Sequence, residues 1–152
     1  MYSKEEGSLL LKQFWTSFGQ YLSPIPSSAG NKINWINYKT GNRFIHFKMD
    51  ATKDHAYIGI EISHHDNATQ KLFFSHFKTL RPDIEKTLAE KWIWEEGISV
   101  NAKNISRISK AMQHISIYRQ EDWPQIISFL KTRIISLDRF WNDHKEVFEM
   151  LS

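Results

Sequence analysis

The apolar residues near the beginning of the chain recur every three or four positions, which is the spacing of one helical face. Ser3 and Glu6 form a capping box before this pattern, and Pro24 and Pro26 end it. The pattern therefore predicts an amphipathic first helix and then a loop. The predicted apolar face consists of Leu10, Leu11, Phe14, Trp15, Phe18, Tyr21 and Leu22.

From Ile33 to Ser63 the period changes to two, which predicts three antiparallel strands. Gly41 marks the first turn because glycine tolerates a positive φ, and residues 51–54 form the second turn. In this alignment Ile45 lies opposite Ile60. A slip of one residue would move the apolar set to the other face, so the pattern predicts which face is core. That face carries Ile36, Ile45, Phe47, Met49, Ile58, Ile60 and Ile62.

A second helical pattern follows, capped at Asp66 or Asn67. Pro82 interrupts it because proline lacks an amide donor, so the segment is one kinked helix or two consecutive helices. A fourth strand begins at residues 92–94. Residues 104–119 are ambiguous, since their isoleucine spacing fits a helix whereas their β-branched content favours a strand. We interpret this segment as a strand with an irregularity near Gln113.

The last segment predicts a helix of about 28 residues, or about 42 Å at 1.5 Å per residue. Its apolar seam contains Trp123, Ile127, Leu130, Ile134, Leu137, Trp141, His144 and Phe148. Such a seam is most often core. However, the helix is long compared with the radius of gyration of about 15 Å that is expected for this chain length. We therefore expect residues 141–151 to overhang and to support a homodimer, through this helix or through the outer face of the sheet.

The predicted element order is α-β-β-β-α-β-β-α. It indicates a single α+β domain over residues 1–152, with a mainly antiparallel sheet of about five strands, helices packed on the sheet and a long C-terminal helix. The absence of cysteine excludes disulfides, thiolate metal sites and cysteine nucleophiles. No signal peptide and no run of about 20 apolar residues is visible, so we expect a cytoplasmic protein with no membrane partner.

The outer face of the predicted strands is the candidate binding surface. In the predicted register Trp35 lies opposite His46, and Lys48 lies beside Tyr57. Aromatic rings among cations are typical of surfaces that hold single-stranded nucleic acid. The alternatives are that a helix or a second subunit covers this face, or that it binds a small ligand. The net charge of +3 is too small to favour nucleic acid by itself. The candidate residues are Trp35, Phe44, His46, Lys48, Tyr57 and Arg107.

No motif indicates catalysis or a cofactor. Asp50 with Glu61-Ile62-Ser63 loosely resembles a nuclease signature, but Ser63 occupies the lysine position and the predicted register separates the two carboxylates by about 20 Å. The pair His64-His65 lacks the helical spacing of a zinc motif. Glycine-rich phosphate loops and a nucleophile elbow are absent from the sequence. We therefore predict no catalytic residues, no metal and no cofactor.

Four segments resemble the bacterial domain-of-unknown-function family numbered 4268. They are FWTSFGQYL (14–22), KINWINYKTG (32–41), ISRI (105–108) and EDWPQIISFLKTRIISLDRFW (121–141). The resemblance covers nearly the whole chain and implies a short stand-alone member of the family. The family has no assigned catalytic motif, but in some longer relatives this domain follows a restriction-nuclease-like module. The resemblance therefore implies an accessory role beside nucleic acid.

The sequence as a whole favours a non-catalytic binding or accessory module, associated with nucleic acid or with another protein. The alternative is a nuclease-like enzyme whose active site has diverged beyond recognition. An exposed cluster of the candidate residues would favour the module, whereas a deep pocket with convergent acids, histidines or lysines would favour the enzyme.

Overall fold

The computed structural model describes residues 3–151, which form one four-stranded sheet, four α-helices and a short 3-10 turn at Gln120–Asp122. This arrangement confirms the α+β class and the long C-terminal helix. The elements are α1 (Lys4–Leu22), β1 (Ile45–Ala51), β2 (His55–Ile62), α2 (Asn67–Thr79), α3 (Arg81–Leu88), β3 (Ile93–Val100), β4 (Lys103–Gln113) and α4 (Trp123–Leu151).

The sheet is antiparallel in the order β1-β2-β4-β3, so the prediction of about five strands was wrong by one. The predicted first strand, residues 33–39, is irregular. Oδ1 of Asn34 accepts hydrogen bonds from the backbone N–H groups of Ile36 and Asn37, at 3.2 and 3.3 Å. An asparagine that bonds to its own backbone in this way competes with the ladder of a sheet.

The β1–β2 hairpin keeps its predicted faces although its register differs from the prediction. Ile45 lies opposite Ile62 rather than Ile60, because the hairpin closes at Ala51 and Ala56, one residue later in both strands. The hydroxyl of Thr52 accepts hydrogen bonds from the backbone after it and stabilises this turn. The resulting shift of two residues leaves each side chain on its predicted face, since the period of a strand is two.

The helices pack against the apolar face of the sheet. Trp141 of α4 contacts Phe47 of β1 with ring centroids 5.8 Å apart, and Gln70 of α2 accepts a hydrogen bond from the buried Ser106 of β4 at 2.7 Å. Helix α3 packs on α4, and α1 reaches α4 through Phe14 and Trp123. The structure is therefore a layer of helices on one side of a sheet.

The end of α4 packs within its own chain, so the predicted overhang was wrong. Phe148 is fully buried, and its ring lies 4.4 Å from that of Phe77 on α2. Trp141 is also buried and donates from Nε1 to the carbonyl oxygen of Thr40 at 2.7 Å. The two helices after the hairpin extend the core along α4, which removes the apolar reason for a dimer at that end. The homodimer itself stays a prediction.

Over residues 3–151, no helix combines the length and the apolar content that a membrane span requires.

Candidate functional site

The side of the sheet away from the helices, here called the open face, brings most of the candidate residues together. Side chains of a strand alternate between its two faces, so this face receives every second residue of each strand. Two hollows on it are lined by strand and turn residues and by no helix residue. The open face carries His46, Lys48, Asp50, Tyr57, Gly59, Glu61, Glu95, Arg107 and Ser109.

Glu61 is the centre of the open face. Its side chain accepts a hydrogen bond from the hydroxyl of Tyr57 at 2.9 Å, and Nζ of Lys48 lies 3.5 Å from its other oxygen. Nε of Arg107 donates to Glu95 at 2.8 Å, and its guanidinium lies 5.7 Å from the centre of the Tyr57 ring. Only 9% of Glu61 is exposed, so these polar partners compensate for its loss of water.

Gly59 makes room for the Tyr57 ring. A Cβ at position 59 would lie only 2.9 Å from Cζ of Tyr57 and 3.2 Å from Cβ of Ser109. Glycine inside a strand often marks such a close approach. The ring can therefore lie along its own strand and reach Glu61, which no other residue at position 59 would allow without movement of the ring.

Burial raises the pKa of Tyr57 well above its usual range, and the neighbouring charge of Glu61 raises it further. Tyr57 is therefore a protonated hydrogen-bond donor at neutral pH. For Arg107, burial acts to lower the pKa, but the hydrogen bond to Glu95 and the negative charges around it outweigh burial and raise the pKa overall. Arg107 is consequently a fixed cation.

The turn between β3 and β4 forms one wall of the open face. Val100 and Asn101 line both hollows, which have volumes of about 300 and 350 Å³. Asn101 and Ala102 both have positive φ, at 50° and 64°, as expected for the tight turn of a hairpin. Between Glu95 and Ile98 the pairing shifts at a bulge, and a bulge of this kind bends its strand.

Aromatic rings and cations lie together beside one end of the open face; we call this region the stacking end. The centre of the Phe44 ring lies 3.9 Å from that of His64, with the two planes tilted by 45°, and the rings of His64 and His65 are stacked at 4.5 Å. His64 also contacts Phe73 of α2, so these rings lie where the end of the sheet meets the helix layer. The guanidinium of Arg43 lies 5.2 Å from the centre of the Phe44 ring. The backbone N–H of Ser63 donates to the carbonyl oxygen of Phe44, and Ser63 shares the smaller hollow with two cations and a histidine. The stacking end consists of Arg43, Phe44, His46, Lys48, Ser63, His64, His65 and Lys103.

Trp35 does not belong to this surface, contrary to the sequence prediction. It is 2% exposed, and its Nε1 donates to the carbonyl oxygen of Ile25 at 2.8 Å. Because residues 33–39 form no strand, neither Trp35 nor Ile33 lies opposite a residue of β1. Four other candidates, His46, Lys48, Tyr57 and Arg107, do share the open face. Phe44 is half-buried beside its end and packs against the core.

Sequence reasoning missed the contact of His64 and His65 with Phe44, because it assigned both histidines to a cap and a turn. It also missed Glu95, the partner of Arg107, because the pairing of β3 with β4 was not predicted. One signal in the sequence could have revealed the contact between Tyr57 and Glu61. Gly59 is an isolated glycine within a strand pattern, and such a glycine often marks the close approach of another group.

The carboxylates of the nuclease-like alternative stay apart in the observed register. Asp50 lies opposite Tyr57, and Glu61 lies opposite His46, so four residues separate them along the hairpin. That spacing corresponds to about 13 Å at 3.3 Å per residue, rather than the predicted 20 Å, and it is still too long for one shared Mg²⁺. Within residues 3–151, no three histidine or acidic side chains are grouped closely enough to hold a metal ion.

The family model of the domain of unknown function DUF4268 matches residues 10–145 of the chain. No curated protein and no solved structure matches the chain. The matched segment runs from the middle of α1 to the last turns of α4, and so includes the whole sheet and the open face. The chain therefore belongs to the DUF4268 family.

Proposed function

We propose that this chain is a non-catalytic binding module that holds single-stranded nucleic acid on the open face of its sheet. The observation that carries the proposal is the stacking end, where the neighbouring rings of Phe44, His64 and His65 adjoin Arg43 and the hollow lined by Lys103. Nucleic-acid bases stack on rings of this kind, and lysine or arginine binds the phosphates between them.

The charges of the open face favour one end of it for this ligand. Within the described residues 3–151, neither Arg43 nor Lys103 has a carboxylate partner within 4.0 Å, so both are available to phosphates. Asp50 lies towards the opposite end. Glu95 lies in the same row across the strands as His46 and Glu61, but it is on the far edge strand β3 and is paired with Arg107. Glu61 already accepts a hydrogen bond from Tyr57 and lies beside Lys48, which reduces its repulsion of a phosphate. We expect weak binding, since the net charge is only +3.

The state of the polar groups supports binding without chemistry. Tyr57 stays protonated at neutral pH and therefore does not act as a base or a nucleophile. The carboxylates of Asp50 and Glu61 are about 13 Å apart along the strands, too far to act on one phosphate through a shared cation.

The test is a titration of a fluorescent single-stranded oligonucleotide of about ten nucleotides, followed by anisotropy at low and rising salt. We expect Phe44→Ala to weaken binding about 5- to 150-fold, the equivalent of about 1–3 kcal/mol of base stacking. Lys103→Ala should reduce the slope of log affinity against log salt by about 0.7, the value for one phosphate contact on a single strand. Lys71→Ala, an exposed lysine on α2, is the matched control and should leave binding unchanged.

Absence of binding at low salt would overturn the proposal, as would an equal loss of affinity in the Lys71 control. The same oligonucleotide also distinguishes the nuclease-like alternative. Incubation with the protein and Mg²⁺ should leave it intact if the chain is a binding module. Cleavage that disappears in Glu61→Gln would instead assign a catalytic role to this face.

A further inference from the structure

A second concave site, here called the polar cleft, lies between the loop after α1 and helix α4. Its volume is about 490 Å³, within the usual range of small-ligand sites of about 300–1,000 Å³. The ring of Tyr38, which lines it, stacks on Phe47 of the apolar face at 5.2 Å. The polar cleft is therefore on the helix side of the sheet and is separate from the open face.

The floor of the polar cleft is built around Asp138 of α4, a carboxylate that is 1% exposed. It accepts hydrogen bonds from the backbone N–H of Ser28 at 2.7 Å and from the hydroxyl of Tyr38 at 2.5 Å. Nδ2 of Asn142 donates to the same carboxylate at 3.1 Å and to the hydroxyl of Ser28 at 2.6 Å. These bonds hold the loop against α4 and occupy both oxygens of Asp138, so the floor is rigid before any ligand binds.

The groups that remain at the mouth are mainly donors. Oδ1 of Asn34 is occupied by two backbone N–H groups, so its NH₂ is the part that is left for a ligand. Lys39 and Lys145 also line the cleft, and neither has a carboxylate within 4.0 Å in the described part of the chain. Asp138 is the only acidic residue among the described lining residues. The polar cleft thus offers two cations and the free NH₂ group of Asn34 to a ligand rich in acceptors.

We propose that the polar cleft binds a small phosphate-bearing molecule. A phosphate monoester carries close to two negative charges at neutral pH and presents three acceptor oxygens, which matches two lysines with amide donors beside them. Lys39 and Lys145 hold the phosphate from the two sides of the cleft, the loop and the helix. The side-chain amides of the loop, at Asn34 and Asn37, bind the remainder of the molecule.

This inference does not depend on the proposed function, because the two surfaces are on opposite sides of the sheet. The experiment is a titration of the ¹⁵N-labelled protein with inorganic phosphate and, separately, with adenosine monophosphate, at constant ionic strength. We expect both ligands to move the amide signals around Tyr38 and Lys39. Adenosine monophosphate should bind more tightly, since it fills more of the cleft.

Lys39→Gln and Lys145→Gln should each weaken binding at least about tenfold, because each removes one of the two charges that hold the phosphate. Lys71→Gln, on the surface of α2, is the control and should bind as the wild type does. Binding of inorganic phosphate alone would support an anion site with no place for the rest of a nucleotide.

Two results would overturn the inference: no shift with either ligand at millimolar concentration, or undiminished binding by both lysine variants. A thermal melt of each variant separates loss of the site from loss of the fold. Neither lysine belongs to the open face, so both variants should still bind the oligonucleotide if the proposed function is correct.

Discussion

Gly59 determines where the Tyr57 ring lies, and through it the shape of the open face. The ring crosses the glycine to reach Glu61, and a Cβ at position 59 would lie 2.9 Å from Cζ of the ring. The hydrogen bond from Tyr57 to Glu61 therefore depends on Gly59 as well as on the two residues that form it. A residue without a functional group is as necessary to the surface as those that carry one.

We expect Gly59→Ala to lower the free energy of unfolding by about 1–3 kcal/mol, because it expels the ring and removes a hydrogen bond from a buried carboxylate. The measurement is urea denaturation. Tyr57→Phe is the matched comparison, since it removes the hydroxyl but leaves the ring over Gly59. If Gly59→Ala leaves the free energy of unfolding unchanged, the Tyr57 ring can adopt another position without loss of stability.

A half-buried ion pair between Glu90 and Arg133 joins the segment before β3 to α4. Both carboxylate oxygens of Glu90 accept from the guanidinium, at 2.7 and 2.8 Å, and Trp92 donates to one of them at 2.7 Å. Burial by itself raises the pKa of Glu90, but these hydrogen bonds outweigh it and lower the pKa below its ordinary value of 4.5. Glu90 therefore contributes stability at neutral pH that is lost as the pH falls below about 4.5.

We expect Glu90→Gln to destabilise the protein by about 1–3 kcal/mol at pH 7, since it leaves Arg133 without its charged partner. The difference from wild type should shrink at a pH below the pKa of Glu90, where the wild-type carboxyl is also neutral. Urea denaturation at the two pH values measures both quantities. Glu146→Gln, an exposed position on α4, is the control. A difference that does not change with pH would contradict this role of the charge.

The final helix shows how a seam on one element is divided among several partners. It contacts β1, β2, α2 and α3. Trp141 packs against Phe47 of β1, and Phe148 packs against Phe77 of α2. The central and distal part of the seam, at Leu130, Ile134, Leu137, Trp141 and Phe148, was correctly predicted from its period. At its start Ile126 and Phe129 are buried, whereas the predicted Trp123 and Ile127 are only half-buried. The length argument for an overhang failed. A radius of gyration describes an average over the molecule and does not limit the length over which one helix can find neighbours.

Phe148→Ala should lower the free energy of unfolding by about 3–5 kcal/mol, the usual cost of removing a buried phenylalanine side chain. Val147→Ala, at the adjacent and exposed position, should change it by less than about 0.5 kcal/mol. Thermal or urea denaturation of the two variants measures the contrast. Equal and small effects would mean that the end of α4 is not part of the core.

The two candidate sites of the molecule are separated by the sheet, because its helices cover one face and leave the other to polar side chains. Their ligands should therefore bind independently. We expect the double variant, Phe44→Ala with Lys145→Gln, to lose affinity for each ligand by the same factor as the corresponding single variant. Parallel titrations of oligonucleotide and adenosine monophosphate check this. A change in one affinity on saturation with the other ligand would indicate coupling through the sheet.

The amino-acid sequence by itself determined the helices and the two faces of the β1–β2 hairpin, as well as the family. Each of these depends on local periodicity, which records the side of an element that is turned away from water. The register was off by two residues, but the core face was correct because a shift of two keeps every side chain on its side.

Only the tertiary structure decided the position of residues 33–39 and the existence of the polar cleft. An alternating pattern does not distinguish a strand from a loop whose alternate side chains are buried elsewhere, as Trp35 is. The hydrogen bonds of Asp138 join it to Ser28 and Tyr38, 110 and 100 residues earlier in the chain. Contacts over such separations depend on how complete elements pack, and local patterns contain no record of them.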